Sequence, residues 1–241
     1  GTTLVDRILT SHSGLISAGE RPEFIGSLAA HVKSAIRQTI GTDLIESANS
    51  ADLASIGQAY TKNLRAIVGS GARFTDKMPI NALFVPAILA ALPSACVICL
   101  RRNPADNVLG VYRQFFTGAL DYYHYALDLR SAANYVAKFH ELVDTYEQHL
   151  PSDRFTVVDY ETLVRDTETE TRRLLDFCDL EFEDATLNFH KNTAHDSTAS
   201  VSQVRQPIYS TSIDRWKDYR PAIDPALNIL KAAGLFSEHV V

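Results

Sequence analysis

Cysteine is scarce. Cys96, Cys99 and Cys178 are the three in 241 residues, an odd number that does not read as a disulfide framework. Cys96 and Cys99 have the C-x-x-C spacing of redox and zinc motifs, but they stand in ACVICL, an apolar run that reads as a buried strand. Residues three apart in a strand point to opposite faces, so the pair reads as core packing. The eight histidines are scattered, with no H-E-x-x-H, no paired Cys/His spacing and no acidic calcium loop, so no metal site is expected. G-x-S-x-G is missing, which removes the usual serine hydrolase signal. A G-K-T lysine is missing too, which argues against an ordinary nucleoside triphosphatase. No apolar run reaches the roughly 18–20 residues of a membrane span, so no membrane partner is expected. Positive charge is not in excess: 23 Lys and Arg face 29 Asp and Glu, for a net −6. Nucleic acid is therefore not an expected partner, although a local basic pocket remains open. No signal peptide precedes Gly1, and the expected location is cytoplasmic, although the start itself reads as cut.

What is present is an ordinary globular composition, 46 % hydrophobic and 22 % charged, in a chain long enough to bury a sizeable core. No repeat and no low-complexity tract divides it. Periodicity predicts helices over 2–12, 22–40, 51–67, 80–91, 104–116, 132–150 and 168–178. It predicts strands over 15–19, 73–76, 95–100 and 154–160. This alternation predicts an α/β fold, a parallel sheet flanked by helices on both faces. Residues 190–212, rich in Ser and Thr, read as a long loop of the kind that often carries function.

The chain opens GTTLVDRILTSH, a helix with Leu4, Val5, Ile8 and Leu9 on one face and Thr2 or Thr3 placed to cap it. Such a helix start attracts anions. In LRRNPADNVLG, Asn103 reads as an N-cap and Pro104 as the first helical residue. Arg101 and Arg102 then stand at the carboxyl end of a buried strand and point to opposite sides. Parallel sheets bind ligands at that edge. A guanidinium there suits a phosphate, with surface ion pairs as the alternative. Lys77, in TDKMPINALF, falls on the same rim. STASVSQVRQPIYSTSIDRWKDY adds hydroxyls, arginines and the single tryptophan. Together these groups suggest a pocket for a ligand with more than one phosphate-like group.

These stretches also carry a resemblance. GTTL resembles the second half of the P-x-S-G-T-T-L loop of sulfotransferases that use 3′-phosphoadenosine 5′-phosphosulfate (PAPS). DKMPINALF, LRRNPADNVLGVYRQFF, VVDYETLV, LLDFC and SQVRQPIYSTSIDRWKDY follow in that family's order and spacing. The pattern is most similar to bacterial tetratricopeptide-associated sulfotransferases, related to tyrosylprotein sulfotransferases. The resemblance implies a P-loop-type parallel sheet in one domain over 1–241, PAPS as sulfuryl donor, a hydroxyl-bearing acceptor, and no metal. It also implies that the family's first strand and the basic half of its phosphate loop lie ahead of Gly1.

By the same resemblance, Gly1, Thr2 and Thr3 meet the 5′-phosphosulfate and Arg102 binds the 3′-phosphate. Gly110 stands where the family has a serine, one hydroxyl contact fewer. Tyr160 lies near the nucleotide, and Arg215 and Arg205 add charge beside the 3′-phosphate. Glu20 matches the base of the tyrosylprotein branch, Lys77 a catalytic lysine, and Ser200 a donor to the sulfuryl group, with Ser202 close enough in register to compete. Without the resemblance, Glu20 reads as a cap for a helix starting near Pro22, Lys77 as a solvated lysine and Ser200 as a loop serine.

The acceptor stays open between protein tyrosine, a sugar and a small molecule. Tyr112, Phe115, Phe116, Tyr122 and Tyr123 read either as an apolar acceptor cleft or as core. A homodimer is an option the sequence does not decide. Three other readings stay open: a non-catalytic nucleotide-binding member of the fold, a P-loop kinase, and a structural interaction module.

Overall fold

The computed structural model describes residues 1–33, 41–71, 73–114, 121–192 and 205–237. In chain order its elements are α1 (Thr2–Leu9), β1 (Leu15–Ser17), α2 (Glu23–His31), α3 (Thr42–Ser47), α4 (Leu53–Val68), β2 (Arg73–Thr75) and α5 (Val85–Ala91). There follow β3 (Val97–Arg101), α6 (Pro104–Arg113), α7 (Leu129–His149), β4 (Phe155–Asp159), α8 (Tyr160–Arg165), α9 (Thr167–Phe177) and α10 (Asp224–Ala232). Local chemistry starts several of the helices. Asn103 accepts from the N–H groups of Ala105 and Asp106, with Pro104 next in line, so α6 begins where the sequence placed it. Asp52 and Asp128 cap α4 and α7 in the same way.

The strands are parallel, as the alternation predicts, but the single expected sheet is two separate pairs among the described residues. β1 pairs with β2, Leu15 opposite Arg73; β3 pairs with β4, Val97 opposite Phe155. No described strand joins β2 to β3, and both line one cavity of about 1740 Å³.

Alternation along β3 and β4 decides what each face buries. Val97, Cys99, Phe155 and Val157 pack on α5 and α7 through Val85, Leu89, Val143 and Tyr146. Ile98, Leu100 and Val158 pack on α1, α8 and α9 through Leu4, Val5, Ile8, Leu163, Leu174 and Leu175. The β3–β4 pair is thus covered on both sides. α2, α4 and α5 form a second core around Phe24, Ile56, Leu64 and Phe84. α6, α7 and α10 form a third around Val108, Val136 and Leu230.

Several expectations need correction. Cys99 is core, but Cys96 is exposed, because it precedes the first residue of β3. The segment 80–91 is a 3₁₀ turn, Pro79–Phe84, followed by α5, because Pro86 fits only in a first helical turn. α2 stops at His31, and 34–40 lie outside the described residues. α3 and α10 were not expected. Both are short; α10 opens on Asp224 and Pro225, a start signal that the periodicity reading did not use, and packs on α6 and α7.

Candidate functional site

The carboxyl ends of the strands converge on the one cavity. Gly1, Thr2, Thr3, Glu20, Lys77, Arg102, Gly110, Tyr160 and Arg215 all line it. Arg205 is exposed and is not among the lining residues. Ser200 and Ser202 lie outside the described residues.

Gly1 is the N-cap of α1, so the expected Thr2 or Thr3 cap is not formed, and glycine has no side chain to cap with. The Gly1 carbonyl accepts from the N–H groups of Leu4 and Val5 at 2.9 and 3.2 Å. A Cβ on Gly1 would lie 2.7 Å from Cδ2 of Leu100 and 2.7 Å from Cδ2 of Tyr160. Only glycine lets the backbone approach β3 and α8 that closely. Asp6 fastens α1 to both short strands, accepting from Ser17 Oγ at 2.8 Å and from Thr75 Oγ1 at 2.5 Å.

Tyr160 opens α8 directly after β4. The guanidinium carbon of Arg102 lies 4.8 Å from the centroid of its ring. Arg102 Nη2 donates to the Ser212 carbonyl at 2.5 Å, and the Tyr160 and Ser212 hydroxyls are hydrogen-bonded at 2.7 Å. Arg102 Nε is buried with no partner among the described residues. A Cβ on Gly110 would sit 3.7 Å from Arg102 Nη1, so a side chain at this position would face the same group. The helix start, Arg102 and Lys77 thus line the same cavity. Arg101 points the other way, as alternation requires, and pairs with Asp144, Glu147 and Asp159. The ion-pair reading holds for Arg101.

The β1–β2 pairing runs past the strand ends. Ala18 N–H donates to the Thr75 carbonyl at 2.8 Å and Lys77 N–H to the Gly19 carbonyl at 3.1 Å. Gly19 turns there with φ +78°, a left-handed conformation that suits glycine. This sets Lys77 Nζ in an ion pair with the Glu20 carboxylate. The Lys77 side chain is only 10 % exposed, so it is not a solvated surface lysine. Nor does Glu20 cap α2, whose N-cap is Pro22 with no side-chain bond.

Sequence reasoning missed three supporting residues. Ser212 ties Arg102 to Tyr160. Asp106, 1 % exposed, accepts from the N–H groups of Asp214 at 2.7 Å and Trp216 at 2.9 Å, fixing the turn that carries Arg215. Its position in the first turn of α6 was the one available signal. Asp76 accepts from the Tyr60 hydroxyl at 2.9 Å beside Lys77, and its Oδ1 is buried without a partner among the described residues. Burial pushes Asp76 up to about 6, with Glu23 and Asp6 adding to the effect and the Tyr60 hydroxyl opposing it.

Of the expected acceptor aromatics, Tyr123 lines the cavity, whereas Tyr112 is 44 % exposed and does not. Phe115 and Phe116 lie outside the described residues, as does the Tyr122 side chain. Tyr125, Tyr135 and Phe139 line the cavity instead, with the Tyr125 and Tyr135 rings stacked at 3.7 Å. Among the described residues no group of His, Cys, Asp and Glu is placed to hold a metal. No described helix is long and apolar enough to cross a membrane.

Comparison with known proteins gives three findings. A sequence profile described as the sulfotransferase family matches residues 1–184. An uncharacterised protein of Aquifex aeolicus (strain VF5) is 31 % identical over 237 residues, 96 % of this chain. The chain spans 31 % of the length of that relative. The fold is similar to a sulfotransferase domain from the curacin biosynthetic pathway, with TM-score 0.62 and 16 % identity over 97 % of this chain and 93 % of that one. It is also similar to the sulfotransferase domain of the Synechococcus PCC 7002 olefin synthase, with TM-score 0.61 and 18 % identity over 97 % and 90 %.

Proposed function

The chain belongs to the sulfotransferase family, and we propose that it moves a sulfuryl group from PAPS to a hydroxyl acceptor. One observation carries this reading: the Gly1-led start of α1 and the Arg102 guanidinium both pack on Tyr160 and line one cavity. A helix N-terminus favours anionic oxygens through its N–H groups and dipole. A guanidinium with a buried, unpartnered Nε accepts a second anion. The two together match a nucleotide with phosphate on both ends of its ribose.

In this reading Gly1, Thr2 and Thr3 hold the 5′ end, and Arg102 and Arg215 hold the 3′-phosphate against Tyr160. Gly110 leaves room beside Arg102 for a phosphate oxygen or a water. Bound PAPS supplies an activated sulfuryl group on a phosphate leaving group. Glu20 takes the acceptor proton as the hydroxyl attacks, since an alcohol is a weak nucleophile until that proton moves. Lys77 neutralises charge growing on the departing phosphate oxygen. The ion pair between them holds both side chains at the rim until an acceptor enters beside them. Ser200 keeps the role the resemblance gives it.

Tyr123, Tyr125 and Tyr135 give the cavity an aromatic wall, which favours an acceptor with an apolar or flat body. A tyrosine acceptor rests on the AGE resemblance alone. The test is calorimetry with adenosine 3′,5′-bisphosphate and with ATP–Mg²⁺, followed by transfer from radiolabelled PAPS to tyrosine peptide, sugar and small-alcohol panels. Binding of the bisphosphate with label transfer supports the reading. Binding without transfer to any panel favours a non-catalytic nucleotide binder, and a response to ATP–Mg²⁺ alone favours a kinase.

A further inference from the structure

At the amino end of β3, Cys96 Sγ and Cys178 Sγ lie 3.9 Å apart, although 82 positions separate them in the chain. Cys96 is exposed and Cys178 is buried. Cys178 is the C-cap of α9. Its carbonyl accepts from Arg73 Nη2 at 2.5 Å, and Asp179's accepts from Nη1 at 3.2 Å. β2 thus holds the end of α9 against the start of β3.

We propose that Cys96 and Cys178 form a reversible thiol–disulfide site, with Cys96 as the attacking thiolate and Cys178 as the resolving thiol. The arrangement is asymmetric in the way such chemistry requires. The outer sulfur is open to a small oxidant, and the inner one lies 3.9 Å from it, against about 2.05 Å in a disulfide bond. The Cys178 thiol, followed by the charges of Arg73 and Arg154, holds Cys96 down at about 7 against the opposing effect of burial. The Cys96 contact and burial push Cys178 the other way. Cys99 faces the α7 core, and burial pushes it up to about 12, so it stays an inert thiol. With hydrogen peroxide as oxidant, the Cys96 thiolate attacks one peroxide oxygen; the S–O bond forms as the O–O bond breaks, giving Cys96 sulfenic acid and releasing hydroxide. Cys178 then attacks that sulfur; the S–O bond breaks, the S–S bond forms, and water leaves with the Cys178 proton. Two thiols are oxidised by two electrons and one peroxide is reduced. A dithiol reductant reverses the bond. Closing it ties α9, and through Leu174 and Leu175 the packed helix α1, to β3.

The experiment treats the whole protein with hydrogen peroxide, then alkylates, digests without reduction and maps masses. The expected product is one Cys96–Cys178 linked peptide pair, with Cys99 unmodified in the folded state. The thermal midpoint rises by about 5–10 °C and returns with dithiothreitol. Cys178→Ser stops at Cys96 sulfenic acid, trapped by dimedone, while Cys99→Ser behaves as wild type. A link through Cys99, a link between chains, or Cys96 reacting no faster than Cys99 overturns the proposal. Because the wild-type map decides the pairing, failure of a variant to fold does not shield the idea.

Discussion

Arg102 lies over the ring of Tyr160 at 4.8 Å, and both side chains end on Ser212, one on its carbonyl and the other on its hydroxyl. The arginine is therefore fixed in place before any anion arrives. A pre-ordered guanidinium loses less side-chain entropy on binding than a mobile one. Cation–π contact with the ring adds to that order.

Replacing Arg102 with alanine is expected to weaken binding of adenosine 3′,5′-bisphosphate by about 2–3 kcal/mol, roughly 30- to 150-fold. Arg102→Lys should recover little, because an ammonium neither stacks on Tyr160 nor presents a planar fork. Tyr160→Phe removes only the hydroxyl contact and should cost about 1 kcal/mol or less. Calorimetry on the three variants separates these cases. Equal affinities for wild type and Arg102→Ala would remove Arg102 from the site.

Lys77 and Glu20 are expected to act on turnover more than on folding. Lys77→Ala should lower kcat on the order of a hundredfold or more, about 3 kcal/mol, by analogy with loss of one transition-state donor. Glu20→Gln keeps the size and a hydrogen bond to Lys77 but cannot take a proton, so it should lower kcat by roughly 10²–10⁴-fold. Single-turnover kinetics with melting curves provide the check. A change under about threefold with an unchanged melt would exclude a catalytic role.

Asp106 is expected to be a positioning residue. Asp106→Ala leaves the N–H groups of Asp214 and Trp216 without their acceptor, at a cost of about 1–3 kcal/mol for each if no water replaces it. The same change loosens the turn carrying Arg215, so nucleotide affinity should fall as well. Asp106→Asn retains one acceptor oxygen and should rescue part of both losses. Urea unfolding and calorimetry on the pair test this; stability lost with affinity intact would show that the turn does not serve the site.

Asp76 gives a pH signature. Its carboxyl is raised from the ordinary 3.8 to about 6 by burial. Between those values the folded chain holds a proton that the unfolded chain has released. The group's contribution is fully present below about pH 4 and is lost as pH rises through 6, costing about 3 kcal/mol above that. Asp76→Asn has no charge to bury and can still accept from Tyr60. The variant should therefore exceed wild type in stability at pH 7.5, and the difference should vanish near pH 4. Urea midpoints at the two values measure it. A less stable variant at pH 7.5 would mean that the carboxylate is ionised and compensated.

Much of the frame was legible because it depends on neighbours in sequence. Asn103 and Pro104 mark the start of α6 by local hydrogen-bond chemistry. The alternation in VICLR gives both faces of β3 and sends Arg101 and Arg102 apart. GTTL, DKMP and the Arg-Arg-Asn-Pro turn carry the family resemblance. The misreadings arose where a local cue had a distant competitor. Thr2 and Thr3 have the right chemistry for a cap, but the backbone of Gly1 takes that place because Leu100 and Tyr160 leave room for nothing larger. Cys96 was grouped with Cys99 by spacing, yet its sulfur neighbour is Cys178.

The amino-acid order by itself determined the alternation of helix and strand, the parallel sense of the strands, and the placing of Arg102 at a strand's carboxyl end. Those follow from side-chain period, caps and backbone limits within a few residues. Only the tertiary structure decided that Glu20 pairs with Lys77 across 57 positions, that Ser212 joins Arg102 to Tyr160, and that the described strands stand as two pairs around one cavity. Contacts between distant segments are set by how the packed layers bring strand ends together, and no periodicity along the chain encodes that.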